Sequence, residues 1–245
     1  MMLSAVLILS LIQSQPNTLT PAERTAGWKL LFDGKTLTGW RGLGYDTVPT
    51  SHWVVVNGAI KKIASGNRPG GDLMTVDSFA DFELSFEWKV TPGANSGVKY
   101  NVSEAMSIAQ GGAGTQGGPT HSALGFEYQV LDDDRHEDGR LPSHRSGALY
   151  DLIAPNVATS DGAPLLRLVG EWNRSRIVFR GNHGEHWLNG MKIIEFELGT
   201  ARMDSLLAAS KYRTIPGFGE KRRGHIVLQD HGDEVYYRDI KVRPL

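Results

Sequence analysis

The stretch Gly125-Phe126-Glu127-Tyr128-Gln129-Val130-Leu131-Asp132 decides the interpretation of the fold. Apolar and polar side chains alternate along it, which is the period of a β-strand with one buried face. Its aromatic and aliphatic residues are predicted to face a core, whereas Glu127 and Gln129 face the opposite side. That polar side is either a lined cleft or the solvated surface of a sheet.

A second stretch, His225-Ile226-Val227-Leu228-Gln229-Asp230-His231-Gly232, has the same period and places Gln229 and His231 on one face. Two polar stripes in one sheet favour a cleft between them. The alternative is that Asp230-His231-Gly232 forms only a turn that closes the last hairpin, with the histidine capping backbone groups. The period alone leaves both interpretations open.

The rest of the chain consists of short strand-like segments separated by turn signals. Residues Phe82–Val90 alternate along their whole length, which predicts a strand of the core sheet with Glu87 among its outward residues. The pairs Asn57-Gly58 and Asn189-Gly190 predict tight hairpins. Strands at this spacing predict an all-β sandwich or barrel, and the pattern alone does not choose between the two.

One or two short helices are predicted at the periphery. Thr20-Pro21-Ala22-Glu23 offers a capping threonine, a proline at the first helical position and a glutamate that can reach back to the cap. Residues 203–212 also have a helical pattern, with polar residues near the start and apolar residues within it. We expect the second helix to lie on the outside of the domain.

Composition sets the outer limits. A chain of 245 residues with 40% hydrophobic content can build one substantial core, so we predict a single domain over residues 20–245 after a leader or tail over residues 1–19. The net charge of -1 gives no field that would attract nucleic acid, and we expect no such partner. The absence of cysteine excludes disulfides, thiolate metal sites and cysteine nucleophiles.

The N-terminal segment has the character of a secretory signal. Residues 3–12 form an apolar run too short to span a bilayer comfortably, and polar residues follow it. We therefore expect an exported protein, periplasmic or secreted, that is not an integral membrane protein. An uncleaved N-terminal tail is the alternative.

Taken together, the motifs of this chain resemble the 3-keto-disaccharide hydrolase domain family over almost everything after residue 26. They occur in one order, which chance rarely produces. Besides the two stretches quoted above, they include Gly27-Trp28-Lys29-Leu30-Leu31-Phe32-Asp33-Gly34-Lys35, Asp81-Phe82-Glu83-Leu84-Ser85-Phe86-Glu87-Trp88, Asn95-Ser96-Gly97-Val98, Ser146-Gly147-Ala148-Leu149-Tyr150-Asp151, His186-Trp187-Leu188-Asn189-Gly190 and Arg238-Asp239-Ile240-Lys241.

The resemblance implies a jelly-roll β-sandwich of the concanavalin and laminarinase type, whose curved sheet holds sugars on its concave face. It also implies substrates that are glycosides oxidised to a ketone at C3 of the sugar. That ketone acidifies the hydrogen on C2, so a general base can remove it and the group at C1 can leave by β-elimination before water adds back. The chemistry needs a base, an electrophile or metal, and an acid for the leaving oxygen.

Carboxylate and imidazole groups in one cleft suit this reaction. The implied catalytic residues are Glu127, His231 and Glu87, and a divalent cation held by Glu127 and His231 would stabilise an enediolate. The expected substrate-binding residues are Gln129, Gln229, Asn95, Lys99, Tyr150 and His144, with His136 as a further histidine near the same strand end. The family usually has an arginine shortly after the Asn95 motif, where this chain has Lys99.

Each of these residues also has a structural explanation. Glu87 could merely face solvent, Asn95 could only shape a tight loop, and Tyr150 could support the fold. Residues 132–139 are acidic but lack the spacing of a calcium loop, so a solvated loop is predicted, with a calcium or rim role as the alternative. The glycine-rich residues 109–120 lack the context of a phosphate loop, and no nucleotide cofactor is expected.

Two other functions remain open at this point. A non-catalytic carbohydrate-binding module has the same implied fold, and fold alone does not decide activity. A conventional glycosidase needs two carboxyl groups at a fixed separation. It is disfavoured because Gln129 and Leu131, and not carboxylates, follow Glu127 on its face.

Overall fold

A computed structural model describes residues 15–66, 71–110, 122–159 and 162–245. Two antiparallel sheets contain the strands β1 (Lys29–Leu30), β2 (Trp40–Gly42), β3 (Trp53–Val56), β4 (Ala59–Lys62), β5 (Leu73–Thr75), β6 (Phe82–Val90), β7 (Asn95–Val102), β8 (Phe126–Leu131), β9 (Asn173–Arg180), β10 (His183–Leu188), β11 (Met191–Glu197), β12 (His225–Leu228) and β13 (Val235–Pro244).

The larger sheet has eight strands in the order β11-β10-β9-β6-β13-β4-β3, with β1 paired to β13. The smaller sheet has five strands in the order β2-β5-β12-β7-β8. Neighbours in each sheet are mostly distant in sequence, as crossovers between two facing sheets require. The jelly-roll sandwich that the sequence and its resemblance predict is confirmed.

The core lies between the two sheets and follows the period of the strands. Phe86 of β6 meets Tyr128 of β8 edge to face, with ring centroids 5.5 Å apart, and Phe82 meets Tyr100 of β7 at 6.1 Å. All four rings are at most 2% exposed. Burying such aromatic side chains contributes roughly 1.5–3 kcal/mol each, which orients both strands firmly with one face inward.

In the described ranges, three short helices flank the sheets: α1 (Pro21–Thr25), α2 (Glu104–Gln110) and α3 (Ala201–Ala209). Thr20 caps α1 through the predicted capping box, because Glu23 N donates to its hydroxyl and its own N–H reaches the Glu23 carboxylate. Helix α3 ends at Ala209 with Ser210 as its C-cap, and a separate 3-10 turn, Lys211–Thr214, follows it. Helix α2 is an addition to the one or two helices predicted.

Both predicted Asn-Gly hairpins are present. Asn57 and Gly58 have φ of 51° and 74°, and Asn189 and Gly190 have φ of 47° and 92°. Two successive positive φ angles define the tight turn that matches the twist of paired strands. Through these turns β3 pairs with β4 and β10 with β11.

Some of the sequence predictions fall outside the described residues. The apolar run at residues 3–12 is one, and most of the glycine-rich segment is another, since residues 111–121 are not described. In the described part of the chain, no helix is long and apolar enough to cross a membrane.

Candidate active site

The outer face of the five-stranded sheet, here called the site face, gathers most of the predicted site residues. Strand β8 pairs with β7 so that Glu127 lies opposite Lys99, and Gln129 lies opposite Gly97. Partners in an antiparallel pair point to the same side, so these side chains converge although the strands are about thirty residues apart in the sequence. Asn95 lies on the same side, at the end of β7.

Strand β12 adds a third row to the site face. Val227 pairs with Lys99, and Gln229 N donates to Gly97 O at 2.9 Å just past the end of the strand. Gln229 and Gln129 therefore lie on either side of Gly97 and face the same side, as the strand period predicts. Among the described residues, no group hydrogen-bonds the buried Gln229 Oε1.

Glu127 and Lys99 form a buried ion pair at the centre of the site face. Lys99 Nζ lies 3.6 Å from Glu127 Oε2, and the two residues are 4% and 3% exposed. Lys99 Nζ also donates to Ala123 O at 3.0 Å and to Ser122 Oγ at 3.3 Å. A carboxylate taken out of water beside a cation is costly to bury, and such groups are concentrated at functional sites.

Gly97 makes room for the Glu127 side chain. A Cβ placed on Gly97 would lie 2.2 Å from Glu127 Oε1 and 2.9 Å from Glu127 Cδ. The carboxylate therefore folds over the bare backbone of the neighbouring strand. Since φ at Gly97 is not in the left-handed region, it is this close approach that requires glycine.

The Gln129 amide lies between the ion pair and Asn95 and can bond to either one. In one orientation its Nε2 donates to Asn95 Oδ1 at 3.3 Å. The rotated amide, which satisfies both of its polar atoms, donates instead to Ser96 O at 2.9 Å and to Glu127 Oε1 at 3.2 Å. The two orientations of an amide have the same shape, so the orientation is assigned from the hydrogen bonds that each one makes.

The acidic loop after β8 folds back onto the site face. Asn95 Nδ2 lies 3.4 Å from Asp138 Oδ2, and the same oxygen accepts from the Tyr150 hydroxyl at 3.2 Å. Asp132 is buried and its Oδ2 accepts from Gly93 N at 2.7 Å. The prediction of a merely solvated loop is therefore wrong, because two of its carboxylates tie the loop to the sheet.

His144 and Tyr150 stack on each other beside Asp138, with ring centroids 4.3 Å apart. His144 Nε2 lies 3.1 Å from Asp151 Oδ1, and Asp151 itself has a left-handed φ of 62°. Burial raises the pKa of the Tyr150 hydroxyl, and the negative charges of Asp138 and Glu127 raise it further. Tyr150 is therefore a neutral phenol that can donate or accept a hydrogen bond.

Lys211 is a site residue that the sequence analysis missed. It directly follows α3 and the cap residue Ser210, and its backbone N donates to Asp151 Oδ2 at 2.7 Å. Its ammonium lies over the Tyr150 ring, 4.1 Å from the centroid. The helical pattern over residues 203–212 suggested only an outer helix, and no periodicity in the sequence places this lysine opposite β8.

Desolvation lowers the pKa of the Lys211 ammonium, although the nearby charge of Glu127 acts in the opposite direction. The residue as a whole stays exposed, so the ammonium lies in a crowded recess that opens to solvent. A cation in this position is accessible to a ligand. It can therefore interact strongly with a developing negative charge.

His231 lies past the end of β12, at the rim of the site face, and is exposed. Its ring meets the His136 ring at 5.9 Å between centroids, nearly perpendicular to it. His136, His231 and Asp233 offer metal-ligand atoms within 4.8 Å of one another. Glu127 is not one of these three residues. The group that contains His231 therefore differs from the predicted cation site, which paired His231 with Glu127.

The turn at residues 230–232 depends on Asp230 and not on His231. Asp230 Oδ1 accepts from Gly232 N at 2.9 Å and lies 3.0 Å from the buried Lys62 Nζ. In the turn interpretation, the histidine was expected to cap backbone groups. In the structure the Asp230 carboxylate caps the backbone of this turn.

Glu87 does not belong to the site, and that prediction is wrong. It lies on the outer face of the eight-stranded sheet, where Oε1 is 2.8 Å from Arg174 Nη2 and Oε2 is 2.8 Å from Arg238 Nε. The inward neighbours Phe86 and Trp88 belong to the core, which fixes Glu87 on the far side of the sandwich. The alternation along a strand predicts which face of its sheet a side chain occupies. It does not predict to which of the two sheets the strand belongs.

The chain is similar to known proteins over most of its length. The family model described as "3-keto-alpha-glucoside-1,2-lyase-like domain" matches residues 27–243, and so includes both sheets and every residue of the site face. The chain belongs to this family.

Among its relatives is a protein of Bacteroides thetaiotaomicron named 3-keto-disaccharide hydrolase. The two are 38% identical over 237 residues, covering 89% of this chain and 79% of the relative. Two crystal structures of candidate glycosyl hydrolases from Parabacteroides distasonis share the fold. One has a TM-score of 0.75 and 28% identity over 94% of this chain and 100% of that one, and the other has a TM-score of 0.62 and 25% identity over 89% and 99%.

Proposed function

We propose that the protein cleaves glycosides that carry a ketone at C3, by removing the proton on C2 and eliminating the group at C1. The observation that carries this proposal is the Glu127 carboxylate, held beside Lys99 on a face lined by amides and by the Lys211 ammonium. Family membership and the 38% identical 3-keto-disaccharide hydrolase support the same substrate class.

The proposed reaction starts at the hydrogen on C2, which the adjacent ketone acidifies. Its proton passes to the base, and the electron pair forms an enediolate with negative charge on the C3 oxygen. Return of that electron pair forms a double bond between C1 and C2 and breaks the bond from C1 to the leaving oxygen, which takes up a proton. Addition of water across the new double bond then gives the products of net hydrolysis.

Glu127 is the proposed base. Its carboxylate is anchored from three directions: Lys99 provides a charge, Gln129 an amide, and Gly97 a gap in which it lies. A base that is already held in one position reduces the entropy cost of bringing it to the proton that it removes. Burial also removes the water that would weaken its interaction with the substrate.

Lys211 is the proposed electrophile. Its ammonium reaches the recess from a different segment than Glu127 and is within the electrostatic reach of that carboxylate. A fixed cation opposite the base can stabilise the enediolate oxygen as the C2 proton departs. This role does not require the lysine to give up its own proton.

Polar groups around these two residues are proposed to bind sugar hydroxyls. The Gln229 Oε1 atom is a buried acceptor without a donor among the described residues, and such groups are uncommon in folded proteins. A sugar hydroxyl would supply that donor. Asn95, Tyr150 and His144 are proposed to contact the substrate on the Asp138 side.

The proposal is tested with a matched pair of substrates, a 3-keto-disaccharide and its unoxidised parent, given to the purified chain. We expect both monosaccharide products to be released from the 3-keto compound and none from the parent, because only the ketone acidifies C2. Equal cleavage of both would favour a conventional glycosidase. Saturable binding without any cleavage would favour a carbohydrate-binding module.

A further inference from the structure

The described residues contain two groups of three side chains whose metal-ligand atoms lie within 4.8 Å of one another. The rim triad consists of His136, His231 and Asp233, next to the site face. The edge triad consists of His183, Glu185 and Glu195, on β10 and β11. The ligand atoms are similarly close in both triads, but the surrounding side chains differ. The edge triad is therefore a suitable control for the rim triad.

The edge triad already has its own cation. Lys192 Nζ lies 3.3 Å from Glu185 Oε1 and 2.5 Å from Glu195 Oε2. The other Glu185 oxygen accepts from Trp187 Nε1 at 2.7 Å. A metal ion would have to displace an ammonium group from both carboxylates, so this group is explained as a surface salt-bridge network.

Among the residues that the structure describes, no ammonium or guanidinium group forms a salt bridge with Asp233. Its Oδ2 accepts a hydrogen bond from Asn95 N at 2.9 Å. That bond fixes the carboxylate and leaves Oδ1 for another partner. A carboxylate beside two imidazoles, with no neutralising side chain, is a suitable environment for a cation.

One hydrogen bond from the backbone orients the His136 ring. Its Nδ1 accepts from Asp138 N at 3.1 Å, which leaves Nε2 as the nitrogen available for a cation. Binding through Nε2 moves the ring proton to Nδ1 and gives up this hydrogen bond. The exchange reduces affinity, but Asp138 is only partly buried, so water can replace the lost acceptor.

We propose that His136, His231 and Asp233 bind one divalent transition-metal ion, through two imidazole nitrogens and one carboxylate oxygen. This donor set suits zinc and its neighbours in the first transition row, and it leaves coordination positions open. Asp233 holds the backbone of Asn95, so the ion lies at the rim of the candidate active site. The site is independent of the proposed reaction and requires no substrate to be detected.

The proposal is tested by titrating the tag-free, metal-depleted chain with Co²⁺ alone and following its visible absorption, with Zn²⁺ as a competitor. We expect saturation at one equivalent. His231→Gln and His136→Asn should each weaken binding by more than the ~10- to 100-fold lost with an outer contact. Asparagine is chosen at position 136 because it can still cap the Asp138 N–H while removing the imidazole.

His183→Gln in the edge triad is the matched control and should bind Co²⁺ like the parent chain. A parallel melting experiment should show that Zn²⁺ raises the Tm of the parent and of His183→Gln but not of His231→Gln, because a ligand stabilises only the state that binds it. Absence of saturable binding, its persistence in His231→Gln, or its loss in His183→Gln would each overturn the proposal. None of these results depends on whether 3-keto-glycosides are cleaved.

Discussion

The two outer faces of the sandwich contain similar polar residues but arrange them differently. On the eight-stranded sheet Glu87 is bound by Arg174 and Arg238, each at 2.8 Å, and the first arginine is 56% exposed. On the five-stranded sheet Glu127 has one lysine at 3.6 Å, and both side chains are at most 6% exposed. One face neutralises Glu87 with two partly exposed arginines, whereas the other encloses Glu127 with one buried lysine.

The difference arises from the loops and not from the strands. Both faces consist of alternating strands, but residues 122–123, the acidic loop after β8 and the turn after α3 all contact groups of the site face. Covering the face removes water and strengthens electrostatic interactions there. A row of polar side chains on a sheet can therefore form a functional site when segments from elsewhere in the chain enclose it.

The largest effect is expected for Glu127→Gln. Glu127→Gln should lower the rate of 3-keto-glycoside cleavage by ~10²- to 10⁴-fold, the usual contribution of a general base. Because Lys99 would lose its buried partner, we also expect the free energy of unfolding to fall by up to about 3 kcal/mol. Steady-state kinetics well below the Tm measures the first effect, and urea unfolding measures the second.

Glu87→Gln is the matched control for the same chemical change on the other face. It should leave the cleavage rate unchanged and cost about 1 kcal/mol or less, as expected for salt bridges near the surface. A similar loss of activity in both variants would mean that the comparison between the faces has no bearing on catalysis.

Replacing Lys211 tests the cation of the site face. Lys211→Met should lower the cleavage rate by ~10²-fold or more, as the loss of one electrostatic stabiliser does. Lys211→Arg should retain part of the activity. Because burial lowers the pKa of Lys211, its charge is lost as the pH rises through that lowered value, and the basic limb of the pH–rate profile should move upward in Lys211→Arg. An unmoved limb would contradict the assigned role.

Gly97→Ala tests the positioning of Glu127 without changing any charged group. The added methyl group would occupy the position now filled by the carboxylate, at 2.2 Å from Oε1, so the side chain must move. A displacement of about 1 Å can cost ~10²-fold in rate. We expect kcat to fall more than KM rises. Gly93→Ala is unsuitable as a control because φ at Gly93 is 76°. Ser96→Ala is also unsuitable, because the buried Ser96 hydroxyl donates to Gln229 O and accepts from the Tyr237 hydroxyl.

The smallest effect on catalysis is expected at His186, which joins the two sheets through the core. Its Nδ1 donates to Gly147 O at 2.9 Å, and Tyr100 OH donates to its Nε2 at 2.8 Å. Desolvation lowers the pKa of His186 to about 4 from 6.5. Below pH 6.5 the unfolded chain takes up this proton and the folded chain does not. Stability should therefore fall by up to about 3 kcal/mol as the pH drops from 6.5 to about 4.

Urea unfolding at pH 7 and at pH 4.5 measures this dependence. His186→Gln should lose stability at both values but should show less change between them. An equally steep acid dependence in the variant would assign the effect to other groups.

The period of the strands was sufficient to predict which residues share the site face. Glu127, Gln129 and Gln229 face the same side because alternation fixes the direction of each side chain once its neighbours enter the core. The same rule failed for Glu87, whose strand belongs to the other sheet. Strand pairing is a tertiary property, and no local pattern distinguishes the two sheets.

Residues that reach the site from loops could not be found in this way. Lys211 and Asp138 occupy their positions because of an aspartate at a left-handed φ, a 3-10 turn and hydrogen bonds between distant segments. Such contacts depend on the completed fold. The acidic composition of residues 132–139 suggested a surface loop, although Asp132 is only 2% exposed and anchors the loop to Gly93.

The central claim is that Glu127 removes the proton on C2 of a 3-keto-glycoside, and deuterium incorporation from D₂O tests it most directly. With the parent chain, NMR should show deuterium at C2 of the released 3-keto sugar, above the exchange seen without protein. Incorporation should disappear in Glu127→Gln and persist in Glu87→Gln. Cleavage by the parent chain with protium retained at C2 would contradict the account, since direct hydrolysis at C1 leaves that hydrogen in place.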